Sequence, residues 1–404
     1  MPDRAPVVCA WRVSLLAALL LIAPLAAPAR AQPPTRDTIA VAGTPHRLEA
    51  PAGVRIDKRV ALDYPRLISL GRDGEMFIGS KAGIVYRLTP PYTAAEALVR
   101  LADYPHSAVR RGDALYVATT DALLRADYHT GAALTAADFR EVAAIPGGGG
   151  HSSRSLSLGP DGRLYVSLGI QGNCSNQYLG SGYGPDRRRG GVMVLDESGA
   201  EPVWRPYVSG LRNPVGLAWR DDATLYASNN GPDHWGFERP REVLVRAEPG
   251  RFFGMPWFQW IDNKVTRDDC IGVAPPKPAS EVTPPVATFP ARSAPMGLAF
   301  LPDGHPLGVD LIVALHGSWA TAPTGGAGGD PATRREPALM GVRLDKTGRH
   351  GEAVPLVTGF QDAAGRRWAR PVGVAVGPDG AVYFTSDSGE TGLYRLTVDT
   401  SGEN

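Results

Sequence analysis

Arginine, histidine and asparagine side chains recur just before a repeated pair of short strands, and these side chains are the ones best suited to chemistry. Each repeat places an aspartate in the turn between its two strands, at Asp73, Asp113, Asp161, Asp222, Asp303 and Asp379. Counting back from the turn, Arg66, His106 and Arg154 lie seven residues upstream, Asn213 and Arg370 nine, and His151 and Arg212 ten. Several cations at such positions suit an anionic ligand or a carboxylate-bearing cofactor, although each alone is more often structural.

The repeated unit predicts the elements that position these residues. In most copies a glycine at or near the turn permits positive φ, and alternating β-branched or aromatic residues follow. Such repeats indicate a solenoid or a propeller, and a propeller fits better because a four-stranded blade must stack on its neighbours around an axis. Six copies predict an all-β, six-bladed β-propeller with long loops on one face. The residues before each turn would then line one mouth of the central channel.

Length and composition exclude several classes of protein. The chain has 404 residues, a net charge of +1 and 43% hydrophobic residues, enough for a large core in one all-β domain. Near neutrality gives no reason to expect nucleic acid or an anionic membrane as a partner. The sequence also has no P-loop, no His-Glu-x-x-His, no Gly-x-Ser-x-Gly elbow, no Cys-x-x-Cys and no βαβ pattern for nicotinamide binding.

The N-terminus has the pattern of a targeting segment. Arg4 and Arg12 precede an apolar run, and Ala29-Arg30-Ala31 gives a small-x-small cleavage pattern. We therefore expect a signal peptide over residues 1–31, cleavage after Ala31, no stable membrane span and a periplasmic or secreted product; an uncleaved anchor is the alternative. Residues 32–57 would be an N-terminal arm or a strand that closes the ring, and residues 58–400 the propeller.

Two cysteines and two loops complete the set of candidates. Cys174 and Cys270 remain after cleavage, so they are a candidate disulfide, with two buried free thiols as the alternative. Four glycines precede His151, which allows either close backbone approach to a ligand or a flexible loop. The polar loop 169–191 is long enough to be functional or disordered. Its Arg187, Arg188 and Arg189 are expected to be a solvated surface cluster, with an anion contact as the second interpretation.

The sequence also resembles a known family. GLRNPVGLAW, NNGPDHWGFERPREV, FGMPW, APMGLAF, ALHGSW and RPVGVAVGPDG are similar to the sorbosone dehydrogenases, within the glucose/sorbosone group of soluble quinoprotein dehydrogenases. The likeness covers about residues 60–396 and is weaker in the first two blades. It implies a six-bladed propeller that binds pyrroloquinoline quinone and calcium at the channel mouth and oxidises sugar hydroxyls, aldoses or related aldehydes.

The resemblance assigns roles to single residues. It implies that His151 is the general base that removes the hydroxyl proton while hydride passes to the quinone, a task suited to an imidazole near neutral pH; a hydrogen-bonded loop histidine is the alternative. Arg212 would lie against the quinone oxygens, Asn213 would hydrogen-bond the cofactor, and Arg370 would pair with a cofactor carboxylate. Arg66, His106 and Arg154 are further candidate cofactor-binding residues. The implied calcium ligands are Gly231 and Pro232, through their carbonyls, together with Glu242, and the calcium would be a Lewis acid.

The sequence departs from the family pattern at two places. Arg241-Glu242, with Glu238 upstream, stands where relatives have an acidic pair in the calcium loop. The segment PALMGVRL stands where relatives often have Gly-Tyr-Lys, so a cofactor-binding lysine is missing there.

Three functions are therefore compared. The first is a quinoprotein dehydrogenase that acts on a sugar and passes electrons to an unknown acceptor. The second is a calcium-dependent, lactonase-like hydrolase, which would need carboxylates and asparagines on the axis where this chain has Arg and His. The third is a non-catalytic carbohydrate- or ligand-binding propeller. The dehydrogenase is the prediction, and the sequence leaves a homodimer open.

Overall fold

At three of the six turns, the side chains of Asp161, Asp222 and Asp379 bind the backbone of their own turn. Asp161 Oδ1 accepts a hydrogen bond from the amide of Arg163 at 3.1 Å, and its Oδ2 accepts one from the Tyr165 hydroxyl at 2.8 Å. Asp379 repeats the arrangement, with the Ala381 amide at 3.2 Å and the Tyr383 hydroxyl at 3.0 Å. A side-chain bond to the amide two residues on stabilises a tight turn. The repeated aspartate is therefore structural.

The computed structural model describes Met1, Asp3 and residues 35–399. The expected signal peptide, its cleavage site and Cys9 lie outside the described residues, apart from Met1 and Asp3. Residues 35–399 belong to one unit and form sheets of four or more strands, plus one short hairpin. Short 3₁₀ turns at Arg72–Gly74, Ala136–Asp138, Pro185–Arg187, Ala279–Glu281 and Pro331–Thr333 are the helical elements of the described part.

The strands follow one another blade by blade, after three N-terminal strands. These three are β1 (Arg36–Ala42), β2 (Arg47–Pro51) and β3 (Val54–Val60). The first three blades are β4 (Pro65–Leu70), β5 (Met76–Ser80), β6 (Ile84–Leu88) and β7 (Glu96–Arg100); β8 (Ser107–Arg111), β9 (Ala114–Ala118), β10 (Ala122–Asp127) and β11 (Arg140–Ala144); β12 (Leu156–Leu158), β13 (Leu164–Leu168), β14 (Gly191–Asp196) and β15 (Val203–Ser209).

The last three blades have longer connections. Blade four contains β16 (Asn213–Trp219), β17 (Leu225–Asn230), β18 (Glu242–Ala247) and β21 (Ala287–Phe289), with the hairpin β19 (Phe258–Ile261) and β20 (Lys264–Arg267) inserted before β21. Blade five contains β22 (Pro295–Phe300), β23 (Leu311–Leu315), β24 (Ala338–Leu344) and β25 (Gly351–Val357). Blade six contains β26 (Ala369–Val376), β27 (Val382–Gly389) and β28 (Gly392–Val398), joined by β3. The prediction of an all-β, six-bladed propeller is confirmed.

Strands from the two ends of the described chain complete blade six. β3 pairs antiparallel with β28, for example Ile56 with Leu396, and β1 and β2 extend the sheet beyond β3. The division that the sequence predicts between an arm and the propeller, at residue 57, therefore falls inside β3. The N-terminal strands cover the outer edge of β28, so that β2 becomes the outermost strand of this sheet.

The first strand of each blade lines the channel. Inward-facing positions there are small or aliphatic, including Ser69, Ser107, Ser155, Gly216 and Gly297. A Cβ on Gly216 would lie 2.2 Å from the carbonyl oxygen of Met296 in the next blade, so glycine lets the inner strands approach closely. All six inner strands begin at the same end of the channel, which we call the mouth. The loops 169–190, 231–241 and 316–337 follow second strands and reach the same end, because neighbouring strands are antiparallel.

Within the described part of the chain, no helix has the length and apolar character needed to cross a membrane.

Candidate functional site

The residues singled out in the sequence occupy equivalent positions at the mouth. Arg66 is the second residue of β4, His106 precedes β8, Asn213 begins β16 and Arg370 is the second residue of β26. Because the inner strands surround one axis, these side chains come from different blades to one end of the channel. They form two groups, which differ in their charges and in their hydrogen bonds.

The first group, the Asp387 cluster, consists of Arg66, Lys81, His316, Arg370 and Asp387. Asp387 lies in β27 and is 5% exposed. Its Oδ2 lies 2.6 Å from Arg66 Nη1 and 3.3 Å from Lys81 Nζ, and its Oδ1 lies 2.7 Å from His316 Nε2. Burial acts to raise the pKa of Asp387, but His316, Arg66 and Lys81 outweigh it and hold the pKa well below the usual range. One carboxylate thus fixes several cationic or polar groups.

Three members of this cluster, Lys81, His316 and Asp387 itself, were missed in the sequence. Lys81 follows β5 in the GSK triplet, and 48% of its side chain is exposed, so its ammonium can reach a ligand. It places a lysine at the mouth although the family's lysine is missing. His316 belongs to ALHGSW, and Arg370 donates to the carbonyls of His316 and Gly317 at 2.8 and 3.0 Å. Arg370, which the resemblance pairs with a cofactor carboxylate, therefore binds the backbone of the His316 loop in this structure.

His106 lies beside this cluster and is completely buried. Burial lowers its pKa well below the usual value, with Arg66 as the next cause, so the imidazole is neutral. Tyr104 packs against it edge-on, with ring centroids 5.3 Å apart. A neutral, buried ring can shape the base of a ligand site, but it cannot pair with a carboxylate by charge.

The second group, the His151 cluster, consists of His151, Ile170, Arg212, Asn213 and Asp233. His151 Nδ1 is hydrogen-bonded to the carbonyl of Ile170, which requires a proton on Nδ1. Burial, followed by the charge of Arg212, lowers the pKa of His151 to about 4. The ring is therefore neutral at neutral pH. Among the described residues, no hydrogen-bond partner occupies its Nε2, which leaves a basic nitrogen available.

The side chains of Asn213 and His151 both pack against Gly169. A Cβ on Gly169 would lie 2.5 Å from the Cβ of His151 and 2.8 Å from Oδ1 of Asn213, so only glycine lets the two side chains lie there. Asn213 Oδ1 is buried and has no hydrogen-bond partner within the described part of the chain. A buried acceptor without a donor is costly, and a bound molecule would relieve that cost.

Arg212 is already paired in this cluster. Its Nη2 lies 2.6 Å from Asp233 Oδ2, and its Nε donates to Asn173 Oδ1 at 2.8 Å. Burial lowers its pKa, whereas Asp233 acts to raise it. Since Asp233 balances its charge, Arg212 offers a fixed, partly neutralised guanidinium rather than a free cation.

Two buried arginines hold the loop that carries His151. Arg154, expected to contact a cofactor, is fully buried and donates to the carbonyls of Pro146, His151 and Ser153 at 2.9–3.0 Å. Arg189, expected at the surface, is also fully buried and donates to the carbonyls of Gly147, Gly149, His151 and Gly169 at 2.7–3.0 Å. The surface assignment of Arg189 is corrected, because a buried guanidinium group needs acceptors and the glycine-rich loop supplies them, whereas a cofactor contact of Arg154 stays a prediction. Both arginines position His151.

The residues expected to bind calcium are engaged by an arginine. Arg292 donates to the Pro232 carbonyl, to Asp233 Oδ1 at 3.0 Å and to the Arg239 carbonyl at 3.1 Å. Glu242 Oε1 accepts the amide of Arg292 at 2.9 Å, and its Oε2 accepts the amide of Gly231. Burial raises the pKa of Glu242 to about 7. The predicted set of Gly231, Pro232 and Glu242 therefore does not fit a calcium site.

Arg292 is the blade-five counterpart of the other mouth residues. It lies three residues before β22 and eleven before the turn Asp303, one position beyond the range that the other copies define. That offset explains why the sequence pattern did not include it.

Cys174 and Cys270, the candidate disulfide, are both thiols in this structure. Their sulfurs and a ring nitrogen of His234 all lie within 4.8 Å of one another. The pairing therefore stays a prediction.

The fold and the site define a six-bladed propeller with a polar, largely cationic mouth, and known proteins share the fold. The glucose/sorbosone dehydrogenase family model matches residues 112–318, just over half of the chain, and a TrAA12-like model matches residues 274–397. The chain belongs to the glucose/sorbosone dehydrogenase family. It is also 24% identical, over 89% of its length and 93% of the relative's, to an uncharacterized protein of Borreliella burgdorferi.

Several solved structures have the same fold, and the names of two of them include PQQ. The holo form of the PQQ domain of Coprinopsis cinerea pyranose dehydrogenase is 17% identical, with a TM-score of 0.66 over 88% of this chain and 98% of that one. An iodide structure of a Trichoderma reesei carbohydrate-active enzyme of family AA12 has a TM-score of 0.72 at 18% identity, covering 89% and 100%. The PQQ-bound aldose sugar dehydrogenase of Streptomyces coelicolor has a TM-score of 0.57 at 18% identity, covering 87% and 100%. These identities establish the shared fold alone.

Proposed function

We propose that this protein is a quinoprotein dehydrogenase that oxidises the hydroxyl, or the hydrated aldehyde, of a sugar. The observation that carries the proposal is the His151 ring, neutral and fixed through Nδ1 so that Nε2 is available, together with the unpartnered Asn213 Oδ1, which approaches the same glycine as the Cβ of His151. Family membership and the PQQ-containing structural neighbours support it. The substrate class and the reaction are proposals for this chain.

Pyrroloquinoline quinone fits the donors at the mouth. The cofactor carries carboxylates, which need cationic partners, and a quinone, which accepts hydrogen bonds. Lys81, half exposed, and Arg66 would hold a carboxylate, and the amide NH₂ of Asn213 and the guanidinium of Arg212 would face the polar ring edge. When bound, the quinone would supply a two-electron acceptor for a hydride from the carbinol carbon.

His151 would remove the hydroxyl proton. An alcohol that loses a hydride must also lose a proton, and a neutral imidazole within hydrogen-bond reach can accept it on Nε2. The Ile170 carbonyl then stabilises the cationic ring through the Nδ1 proton. Arg154 and Arg189 fix the loop backbone, so the ring keeps its direction during the transfer.

The resemblance also implies calcium as a cofactor, but the proposed reaction does not depend on it. The guanidinium of Arg292 already provides positive charge among the carbonyls of the 231–239 loop. We propose that quinone binding at this loop does not require the metal, although a calcium structure of the Trichoderma reesei AA12 enzyme has the same fold.

An exposed tryptophan favours a sugar over a smaller alcohol. Trp319 is 53% exposed and lies three residues after His316, in the loop at the mouth. Indole faces stack on the apolar faces of sugar rings, and an exposed indole away from a ligand has an unfavourable hydration cost. The proposed acceptor of the electrons is a separate redox partner. The N-terminal pattern supports export to the periplasm or beyond.

A cofactor titration tests the proposal. Signal-free protein would be titrated with pyrroloquinoline quinone while quinone absorbance is followed, for the wild type, Asn213→Ala and the surface control Arg205→Ala. We expect saturable binding that Asn213→Ala weakens at least tenfold and the control leaves unchanged. Turnover of aldoses with an artificial electron acceptor would follow. Binding without turnover of any sugar would favour the non-catalytic propeller, and lactone hydrolysis without quinone binding would favour the hydrolase.

A further inference from the structure

Three loops bring two thiols and an imidazole together beside the mouth. Cys174 comes from the loop after β13, His234 from the loop after β17, and Cys270 from the segment after β20. One ligand atom from each lies within 4.8 Å of the other two, and Cys174 and His234 are exposed to solvent. Nothing in the proposed oxidation uses these residues. A disulfide would account for the two sulfurs but not for the histidine.

The histidine is held for ligation by a buried carboxylate. Asp268 is 2% exposed, and its Oδ2 accepts from His234 Nε2 at 2.9 Å. The same carboxylate oxygen accepts from Trp235 Nε1 at 2.9 Å and from Gln259 Nε2 at 3.0 Å, while Oδ1 accepts the Cys270 amide at 3.1 Å. Since Nε2 is bound to Asp268, Nδ1 is the nitrogen left for a metal. A carboxylate on the far nitrogen of a ligating histidine fixes the ring and raises its basicity.

We propose that Cys174, His234 and Cys270 bind one Zn²⁺ ion, with a water molecule as the fourth ligand. Thiolate and imidazole ligands select zinc or other soft and borderline metals over calcium and magnesium. Binding would convert both thiols to thiolates and release their two protons to solvent. The ion would join three loops, one of which places Asn173 Oδ1 on Arg212 Nε at 2.8 Å.

The test is a zinc titration of the full signal-free chain in its reduced, chelator-treated form. Calorimetry should show one equivalent of zinc per chain, with proton release, and Co²⁺ should give a thiolate-to-metal charge-transfer band. Cys174→Ser and His234→Gln should each weaken zinc binding at least tenfold. His129→Gln, an exposed histidine elsewhere, is the matched control and should bind like the wild type.

Two results would overturn the site. One is zinc binding that is absent, or that Cys174→Ser and His234→Gln leave unchanged. The other is a Cys174–Cys270 disulfide, found by peptide mass in protein isolated without reductant, together with no zinc uptake after reduction. None of these measurements involves the quinone, so the zinc site and the proposed dehydrogenase activity can fail independently.

Discussion

Two histidines at the mouth have similarly low pKa values but different hydrogen-bond partners. Burial is the first cause that lowers the pKa of both His151 and His316 to about 4, and a neighbouring arginine is the second. His316 Nε2, however, is bound to the Asp387 carboxylate at 2.7 Å, whereas His151 is bound through Nδ1 to a backbone carbonyl. A low pKa therefore does not identify the base. The surroundings distinguish the two rings, because the bonded nitrogen of His316 faces a carboxylate that two cations share, whereas His151 faces a backbone carbonyl and lies near the unpartnered Asn213 Oδ1.

The difference extends to the two clusters around these rings. In the Asp387 cluster, one buried carboxylate is shared by Arg66, Lys81 and His316, so its members are fixed by charge. In the His151 cluster, the Ile170 carbonyl binds the ring and Gly169 packs against it. The acceptor Asn213 Oδ1 has no hydrogen-bond donor among the described residues. We infer that the first cluster binds an anionic group and that the second moves a proton.

Exchanging the two rings for glutamine tests this division most strongly. We expect His151→Gln to lower kcat about 10²–10⁴-fold because it removes the proton acceptor, with quinone affinity nearly unchanged. His316→Gln should instead act mainly on quinone affinity and on stability. Steady-state kinetics with an artificial electron acceptor and a quinone titration measure both effects. A larger loss of kcat in His316→Gln would move the base to the Asp387 side.

Neutralising Asp387 should destabilise the fold by about 3–5 kcal/mol, the usual cost of leaving buried charges without their partner. Asp387→Asn keeps the shape of the side chain but leaves Arg66 facing a neutral amide. Chemical denaturation gives the free energy of unfolding. Asp196→Asn, whose carboxylate pairs with the exposed Arg205 at 3.2 Å, is the matched control and should change it far less. Equal losses in both variants would show that the Asp387 cluster contributes no special stability.

The sequence predicts the scaffold well because its signal is local. The turn aspartates, the glycines beside them and the alternation that follows lie within one hairpin, so six copies are enough to predict six blades. The side chains before each turn were found the same way. His151, Arg212, Asn213 and Arg66 do lie at the mouth, because a repeated register places equivalent residues at equivalent heights.

Partners that come from distant segments could not be predicted. Asp387 is 321 residues from Arg66 in sequence, and Arg292 is 59 residues from Asp233. Arg189 looked like a surface residue because its neighbours are polar, yet it is buried by the glycine-rich loop 147–151 that wraps around it. Composition reveals charges, but only the folded loops decide which charges face one another.

Acid should destabilise the protein before ordinary carboxylates titrate. The folded pKa of His151 and of His316 is about 4, below the unfolded value of about 6.5, so the unfolded state binds more protons between these values. The stability that the neutral rings contribute is therefore present above pH 6.5 and is lost as the pH falls towards 4. We expect the contribution of the two rings to decrease by about 1–3 kcal/mol over that range, and about half of that decrease to be absent in His151→Gln. Glu242, whose pKa is raised, acts in the opposite direction, so the comparison of the two proteins is the measurement, and identical pH dependences of their unfolding free energies would contradict the prediction.

The Trp319 indole should contribute modestly to sugar binding on the His316 side of the mouth. Trp319→Ala removes an exposed stacking surface and touches neither histidine ring, so we expect KM to rise about threefold to thirtyfold while kcat changes little. Trp204→Ala, on the outer strand of blade three, is the matched control. A fall in kcat with unchanged KM would show that the indole affects the proton-transfer geometry instead.

Removing calcium should have the smallest effect on quinone affinity. It tests whether the loop between residues 231 and 239 needs a metal ion at all. Arg292 already donates to Pro232 and Asp233, and Glu242 accepts two backbone amides, so two of the three predicted calcium ligands are already engaged. A calcium-selective chelator should change quinone affinity less than about twofold, because a guanidinium that is part of the chain cannot be dialysed away. If chelation abolished quinone binding and calcium restored it, Arg292 would have to leave these carbonyls for the metal. The His151 cluster would then depend on an ion that its own hydrogen bonds do not require.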